Sequence, residues 1–186
     1  MNIAPVAYRY ARSLMDLSLE RSVVDAVYED MGLLAATCAG SRELLVLLNS
    51  PVVKADKKEK VLDRIFAGRI GAITNAFIGI LVRKGREALL PQVAAAFTEL
   101  FKQHKGIVTT EVTSAVPLTD DARKRVVELA TAKHPGRSIE LVEKVDPSLI
   151  GGVTIRIGDE QYDGSVSRRL SDLRREFSKN PYIPEI

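Results

Sequence analysis

Apolar residues recur every three or four positions through the first 105 residues, which is the spacing of one face of an α-helix. Proline, glycine or serine separates the periodic stretches, as is usual at helix ends. The pattern predicts a mainly α protein that begins with a compact bundle of six helices joined by short connections. The predicted helices are Pro5 to Leu19, Val24 to Gly40, Ser41 to Leu48, Asp56 to Ala67, Ile70 to Lys84 and Leu90 to Lys105.

Three local signals place helix starts. Ser41 can cap the third helix, because a serine hydroxyl readily accepts a hydrogen bond from a free N–H of the first turn. The stretch from Asp56 to Glu59 has the spacing of a capping box for the fourth helix. Pro91 falls in the first turn of the sixth helix, where the missing N–H removes no helical hydrogen bond.

The fifth predicted helix is apolar around more of its circumference than most surface helices. Such a helix is either central to a bundle or partly exposed as a docking surface. The pattern alone leaves these two alternatives open. The residues concerned are Ile73, Phe77, Ile78, Ile80, Leu81 and Val82.

After Gly106 the apolar residues alternate, which predicts a domain boundary there and a small α+β domain over residues 106–186. A first strand is expected from Ile107 to Val116, with Val108, Val112 and Val116 on one side. A helix capped by Thr119 should follow and end near His134.

Further strands and a last helix complete the predicted second domain. The strands are expected around Ile139 to Leu141 and from Val153 to Ile157, with a tight turn at Gly158 to Glu160 and a short return through Tyr162. Ser165 is expected to cap the last helix. We expect the apolar stripe of that helix to be buried; it consists of Val166, Leu170, Leu173 and Phe177.

Charge and cysteine content argue against a nucleic-acid-binding protein and against a disulfide-stabilised secreted protein. Net charge is +3, with 15 basic and 11 acidic residues up to position 105, and 12 basic and 13 acidic residues after it. A protein held to nucleic acid through phosphates usually has a stronger basic excess. The single cysteine, Cys38, excludes an internal disulfide, and the N-terminus lacks the apolar core of a secretory signal. These features predict a cytoplasmic protein.

No catalytic, cofactor or metal motif is recognisable. Gly151 and Gly152 lead into a strand rather than a helix, so close backbone packing explains them better than a nucleotide site does. The two histidines stand at the ends of separate helices, without the spacing of metal ligands. Asp159 and Glu160 fall in a turn and are most simply solvated. The sequence therefore predicts neither an enzyme nor a cofactor-binding protein.

The basic cluster from Arg168 to Arg175 leaves rival interpretations open. Asp172 and Glu176 interrupt its charge, which favours a solvated helix face. A two-domain protein that binds nucleic acid through this cluster is one alternative, and a partner with acidic helices is another. Independently of the cluster, an enzyme of an unfamiliar type is a further alternative, which would require a buried carboxylate or histidine with a strongly shifted pKa in a pocket.

Five segments in order carry a family resemblance over nearly the whole chain. They are "VAYRYARSLMDLS" from Val6, "LLNSPVVKADKKEKVLDRIF", "NAFIGILVRKGREALLPQVAAAF", "TSAVPLTDD" and "LIGGVTIRIGDEQYDGSVSRRLSDL". The sequence resembles the delta subunit of bacterial F-type ATP synthases, which is homologous to the mitochondrial oligomycin-sensitivity-conferring protein. Ser13 departs from the alanine common in the family, and "YDG" at Tyr162 to Gly164 departs from the usual motif.

The resemblance implies a non-catalytic stator subunit that takes part in ATP synthesis and proton transport. Residues 1–105 would bind the catalytic head through the N-terminal helices of its alpha subunits, next to the beta subunits. Residues 106–186 would bind the b subunits of the peripheral stalk. The protein would be peripheral to the membrane, on the cytoplasmic face of the bacterial plasma membrane, and would bind no nucleic acid and no small-molecule substrate.

The resemblance also suggests residues for these contacts. A groove between the first and fifth helices could receive an amphipathic helix of the alpha subunit. Ordinary bundle core is the alternative for each groove residue. The groove residues are Tyr10, Ala11, Leu14, Ile78, Leu81 and Val82, and the C-terminal family motif contains Gly151, Gly152, Asp163 and Ser165. We expect Asp163 and Ser165 to fix the turn of that motif rather than to contact the partner.

Overall fold

The computed structural model describes residues 5–158 and 160–178 of the chain. The chain divides into two compact units between Lys105 and Gly106. In the described part of the chain, the first unit contains helices without strands, and the second combines helices with a sheet. This is the predicted class, a helical bundle followed by a small α+β domain.

Six α-helices form the described part of the first unit, as predicted. A short 3₁₀ turn, Glu87–Leu89, lies between the fifth and the sixth. The helices are α1 (Pro5–Glu20), α2 (Val24–Gly40), α3 (Arg42–Asn49), α4 (Ala55–Phe66), α5 (Ala72–Arg83) and α6 (Leu90–Lys105).

The predicted helix starts hold at Ser41 but not at Asp56. The Ser41 hydroxyl accepts a hydrogen bond from the N–H of Leu44 at 3.2 Å, which confirms it as the cap of α3. Helix α4 begins earlier, at Ala55, and no side chain caps it. The predicted capping box is therefore wrong. Asp56 lies inside the first turn, where its carboxylate can act only on the positive end of the helix dipole.

The interior of the bundle is mainly aliphatic, as the scarcity of aromatic residues requires. Each of the six helices contributes at least one large side chain that is almost fully removed from solvent. These side chains are Leu14, Met31, Leu34, Leu48, Phe66, Leu81, Val82, Val93 and Phe97. Burial of such apolar area is the main favourable term in folding, so the bundle has a continuous core of its own.

A buried ion pair ties three segments of the bundle together. The Lys58 ammonium of α4 donates to the carboxylate of Glu87 and to the carbonyl oxygen of Leu48, at 2.9 Å from the latter. Buried charges are tolerated when they are paired and hydrogen-bonded. The pair therefore fixes α4 against the end of α3 and the turn that precedes α6.

Between residues 5 and 178, Asp159 apart, no single helix is long and apolar enough to cross a bilayer. Only α2 and α3 taken together meet the length and composition of a span, and they are bent by 98° at their junction.

Four strands and two α-helices make up the described part of the second unit. They are β1 (Ile107–Ser114), α7 (Asp120–Lys133), β2 (Ser138–Val145), β3 (Val153–Ile157), β4 (Glu160–Asp163) and α8 (Val166–Ser178). The sheet order is β2-β1-β3-β4; β1 is parallel to β2 and antiparallel to β3, and β3 and β4 are antiparallel. Asp159, in the predicted turn, and the C-terminal stretch from Asn180 to Ile186 lie outside the described residues.

The core of the second unit lies on one face of the sheet, under α7. Val108 of β1 packs with Ala130 of α7 and Ile157 of β3. The Thr119 hydroxyl accepts from the N–H of Ala122, which confirms the predicted cap of α7. The prediction was wrong at Val116, which is 67% exposed because β1 ends at Ser114.

A close backbone contact joins the start of β3 to the start of α8. The N–H of Val166 donates to the carbonyl oxygen of Gly151, and that of Gly164 donates to the carbonyl oxygen of Val153. Gly152 adopts a φ of +77°, and a Cβ built on it would lie 2.3 Å from the carbonyl oxygen of Gly164. Only glycine fits a position that combines left-handed backbone with this approach.

We expect Gly152→Ala to destabilise the second unit more than Gly136→Ala does. Both positions have positive φ, so each alanine costs about 1–2 kcal/mol of backbone strain. Gly136 faces open space, whereas the alanine at 152 also displaces backbone, which adds about 1–3 kcal/mol. Hydrogen exchange of the β1 amides, measured in the full chain, compares the two variants. Equal protection in both would show that the contact with Gly164 is unimportant.

Candidate partner-binding surfaces

The N-terminus of α5 is held by a side chain from another helix. Gly71 occupies the N-cap position and has no side chain to cap with. The Asp30 carboxylate of α2 accepts from the Gly71 N–H at 2.9 Å and from the Thr74 hydroxyl at 2.5 Å. A Cβ on Gly71 would lie 3.3 Å from the same carboxylate oxygen. The absence of a side chain at Gly71 therefore lets Asp30 fix where α5 starts.

One side of α5 is buried and the other is open. Ile78 is 3% exposed, whereas Ile80, two residues further on, is 45% exposed. Together with the C-terminal end of α1, the open side lines a cavity of about 380 Å³. We call this cavity the α1–α5 groove; its lining residues are Leu17, Arg21, Ala72, Ile73, Ala76, Phe77 and Ile80.

The residues predicted for the groove lie elsewhere. Only Tyr10 is partly exposed, and it lines a separate surface cavity beside Arg86. The other five are in the bundle core, which was the alternative for each; they are Ala11, Leu14, Ile78, Leu81 and Val82. Ile73 and Ile80 stood in the predicted apolar stripe of α5, and Leu17 lies on α1. The spacing of apolar residues predicts that α5 is an apolar helix, but it does not indicate which side of the helix faces the core.

The C-terminal family motif forms a structural junction. Asp163 Oδ1 accepts from the N–H of Ser165 at 3.0 Å and from the hydroxyl of Thr154 at 3.2 Å. The Ser165 hydroxyl in turn accepts from the N–H of Arg168, which confirms the predicted cap of α8. Hydrogen bonding from Ser165 to the Asp163 carboxylate holds the pKa of Asp163 below its ordinary value. Gly151 and Gly152 contribute backbone contacts to the same junction.

Helix α8 leaves its apolar stripe exposed, which corrects the prediction of a buried stripe. No residue of α8 is buried, although the helix is strongly amphipathic. The exposed fractions of the four side chains run from 38% to 86%; they belong to Val166, Leu170, Leu173 and Phe177. Sequence periodicity predicts that a helix has an apolar face, but it does not tell whether the same chain covers that face.

The described residues contain no group of three or more histidine, cysteine or carboxylate side chains that could hold a metal ion. Cys38 is buried on α2, and burial raises the pKa of its thiol, which keeps it protonated and unreactive. His104 lies in the last turn of α6, and His134 is the C-cap residue of α7. These positions match their predicted places at the ends of separate helices.

Some arginines of the α8 cluster form ion pairs with carboxylates of α8 itself and of the C-terminal family motif. Arg168 lies 3.8 Å from carboxylate oxygens of both Asp163 and Asp172, and Arg175 lies 3.7 Å from Asp172. These pairs are exposed, so each contributes little to stability. They reduce the net positive charge that the cluster presents to a polyanion.

Comparison with known proteins identifies the class. The family model described as ATP synthase delta (OSCP) subunit matches residues 6–177. Proteins named ATP synthase subunit delta are similar over nearly their full length. That of Chlorobaculum parvum is 36% identical and covers 97% of this chain and 99% of its own length. That of Christiangramia forsetii is 37% identical, with 97% of both chains covered.

A solved structure has the same fold. A chain in the mitochondrial ATP synthase hexamer of Toxoplasma gondii superimposes with a TM-score of 0.74 over 94% of this chain and 98% of its own, at 21% identity. The present chain belongs to the ATP synthase delta (OSCP) subunit family. It is a non-catalytic stator component of the peripheral stalk of an F-type ATP synthase, which is a membrane-associated complex.

We expect Asp30→Ala to destabilise the first unit by about 2–3 kcal/mol, because it removes a cap and leaves two donors without a partner. Asp30→Asn should cost about 1 kcal/mol, since an amide oxygen can accept both hydrogen bonds but without the charge. Urea unfolding and hydrogen exchange of the α5 amides measure both effects. If Asn is as damaging as Ala, the carboxylate charge rather than the hydrogen-bond geometry holds α5.

Proposed function

We propose that this chain joins the catalytic head to the stalk by docking one partner on each unit. The α1–α5 groove receives the N-terminal helix of an alpha subunit, beside the beta subunits, and the apolar face of α8 receives the b subunits. The observation that carries the proposal is that each unit leaves an apolar helix face exposed. Soluble monomers rarely leave such surfaces without a partner.

The groove suits an amphipathic helix. Apart from Arg21 its lining residues are aliphatic or aromatic, with small Ala72 and Ala76 at points where another helix could approach closely. Leu17 and Ile80 offer exposed aliphatic surface at its edge. Docking of an apolar helix face into such a groove buries residues spaced by three and four positions on the ligand.

The face of α8 suits a second helix. Val166, Leu170, Leu173 and Phe177 follow one another at helical spacing, so a partner helix lying alongside could cover all four. The motif around Ser165 anchors only the first turn of α8, which leaves the remainder accessible. Gly151, Gly152, Asp163 and Ser165 support this surface by setting where the helix starts.

This arrangement explains the mechanical role. A stator must resist the torque of the rotor, which requires contacts that dissociate slowly rather than a reaction centre. Held by its partners, the protein would be peripheral to the membrane and on its cytoplasmic face. No nucleic acid and no small-molecule substrate is needed for the role.

We expect Ile80→Asp to abolish binding of a peptide that covers the N-terminal segment of the alpha subunit from the same organism. The substitution replaces apolar surface of the groove with a charge that a docked apolar helix face would have to bury, but Ile80 is already 45% exposed, so the bundle should still fold. Calorimetric titration of the full chain measures the affinity, and circular dichroism verifies the helical content.

The matched control is Val46→Asp. Val46 is 62% exposed on α3 and lies outside the groove, so this variant should bind the peptide as the unaltered chain does. Failure of the folded, unaltered chain to bind the peptide would overturn the proposed role of the groove. Equal loss in both variants would show that the effect of Ile80→Asp is not local.

A further inference from the structure

A second cavity lies along the same helix as the α1–α5 groove. It has a volume of about 300 Å³, and we call it the arginine cavity; its lining residues are Val6, Arg9, Tyr10, Ser13 and Arg86. Tyr10, Ser13 and Leu17 follow one another at spacings of three and four residues, so they lie on one face of α1. From Val6 to Leu17 this face extends about 17 Å, which is three turns of helix.

Two guanidinium groups share this cavity without a counterion. Arg9 and Arg86 are both exposed, and neither forms an ion pair with any residue that the structure describes. No lining residue is acidic, and the four residues that precede α1, "MNIA", contain no carboxylate side chain. Like charges that share a site repel one another unless an anion joins them.

The remaining lining groups also suit an anion. Tyr10 brings a phenol and Ser13 a hydroxyl to the cavity, and both can donate hydrogen bonds. In the free chain the Ser13 hydroxyl donates to the backbone carbonyl oxygen of Arg9 at 3.0 Å, a bond within the helix that it would exchange for one to the anion. Guanidinium groups bind carboxylates in two-pronged hydrogen bonds, which makes arginine a selective partner for them.

We propose that Arg9 and Arg86 bind an aspartate or glutamate side chain of the helix that occupies the α1–α5 groove. This inference rests on the proposed function, and it adds the chemistry that sets the register of the docked helix. The apolar groove supplies affinity but lets a helix slide by one turn. A charged contact at one end of the same α1 face allows only the registers in which a carboxylate reaches the cavity.

The test is a salt-dependent titration of the full-length double variant Arg9→Gln, Arg86→Gln with the alpha-subunit peptide. The unaltered chain should bind less tightly as ionic strength rises, because salt screens the contact. The double variant should bind about tenfold more weakly at low salt and show a much smaller salt dependence. A second peptide has every Asp and Glu replaced by Asn and Gln. The unaltered chain should bind this neutral peptide more weakly than the original peptide, whereas the double variant should bind both equally.

The matched control is Arg42→Gln, Arg64→Gln, which removes the same charge from exposed positions on α3 and α4. This control should keep the affinity and most of the salt dependence. If this control loses as much affinity as the Arg9 and Arg86 double variant, the loss is caused by the change in net charge and the proposal is overturned. If the Arg9 and Arg86 variant binds the peptide as the unaltered chain does, while Ile80→Asp does not bind it, the proposed carboxylate site is wrong and the proposed groove is supported. If the unaltered chain does not bind the peptide, the proposed groove and the proposed carboxylate site are both wrong.

Discussion

The hydrogen bonds that Asp30 accepts at the N-terminus of α5 fix the start of the helix that lines the first unit's exposed groove. The Asp30 side chain reaches from α2 across the bundle to Gly71 and Thr74, and it sets where the most apolar helix of the chain begins. Along the same helix, Ile78 is buried and Ile80 is 45% exposed. The groove beside α1 is therefore formed before any partner arrives, which reduces the conformational entropy that binding must offset.

The second unit exposes its apolar helix in a different way. A junction of glycines and of hydrogen bonds from Asp163 and Ser165 fixes the first turn of α8, and the rest of the helix extends without a buried residue. Each unit thus combines a folded core with one helix whose apolar face is exposed among the described residues. A protein that links two larger assemblies needs this combination, since its function is to make contacts with slow dissociation.

Much of the fold could be predicted from residue spacing, because helix period, strand alternation and capping residues are local properties. The caps at Ser41, Thr119 and Ser165 are of this kind. Asp30 could not be recognised, because its partners are 41 and 44 residues away and nothing in the neighbourhood of Gly71 points to α2. Which side of α5 faces the core depends on the helices packed around it, and helical spacing does not contain that information; Ile78, Leu81 and Val82, predicted for the groove, are buried. For α8, the apolar stripe was recognised, but whether it is covered depends on the rest of the chain.

The most direct test of the connecting role is whether both surfaces can be occupied at once. Sedimentation of the full chain with the alpha-subunit peptide and a soluble fragment of the b subunits measures the stoichiometry of the complex. If each unit binds its own partner, a single complex should form that contains this chain and both partners, and the affinity for one partner should not depend on the other. Binding in which one partner displaces the other would contradict the connecting role.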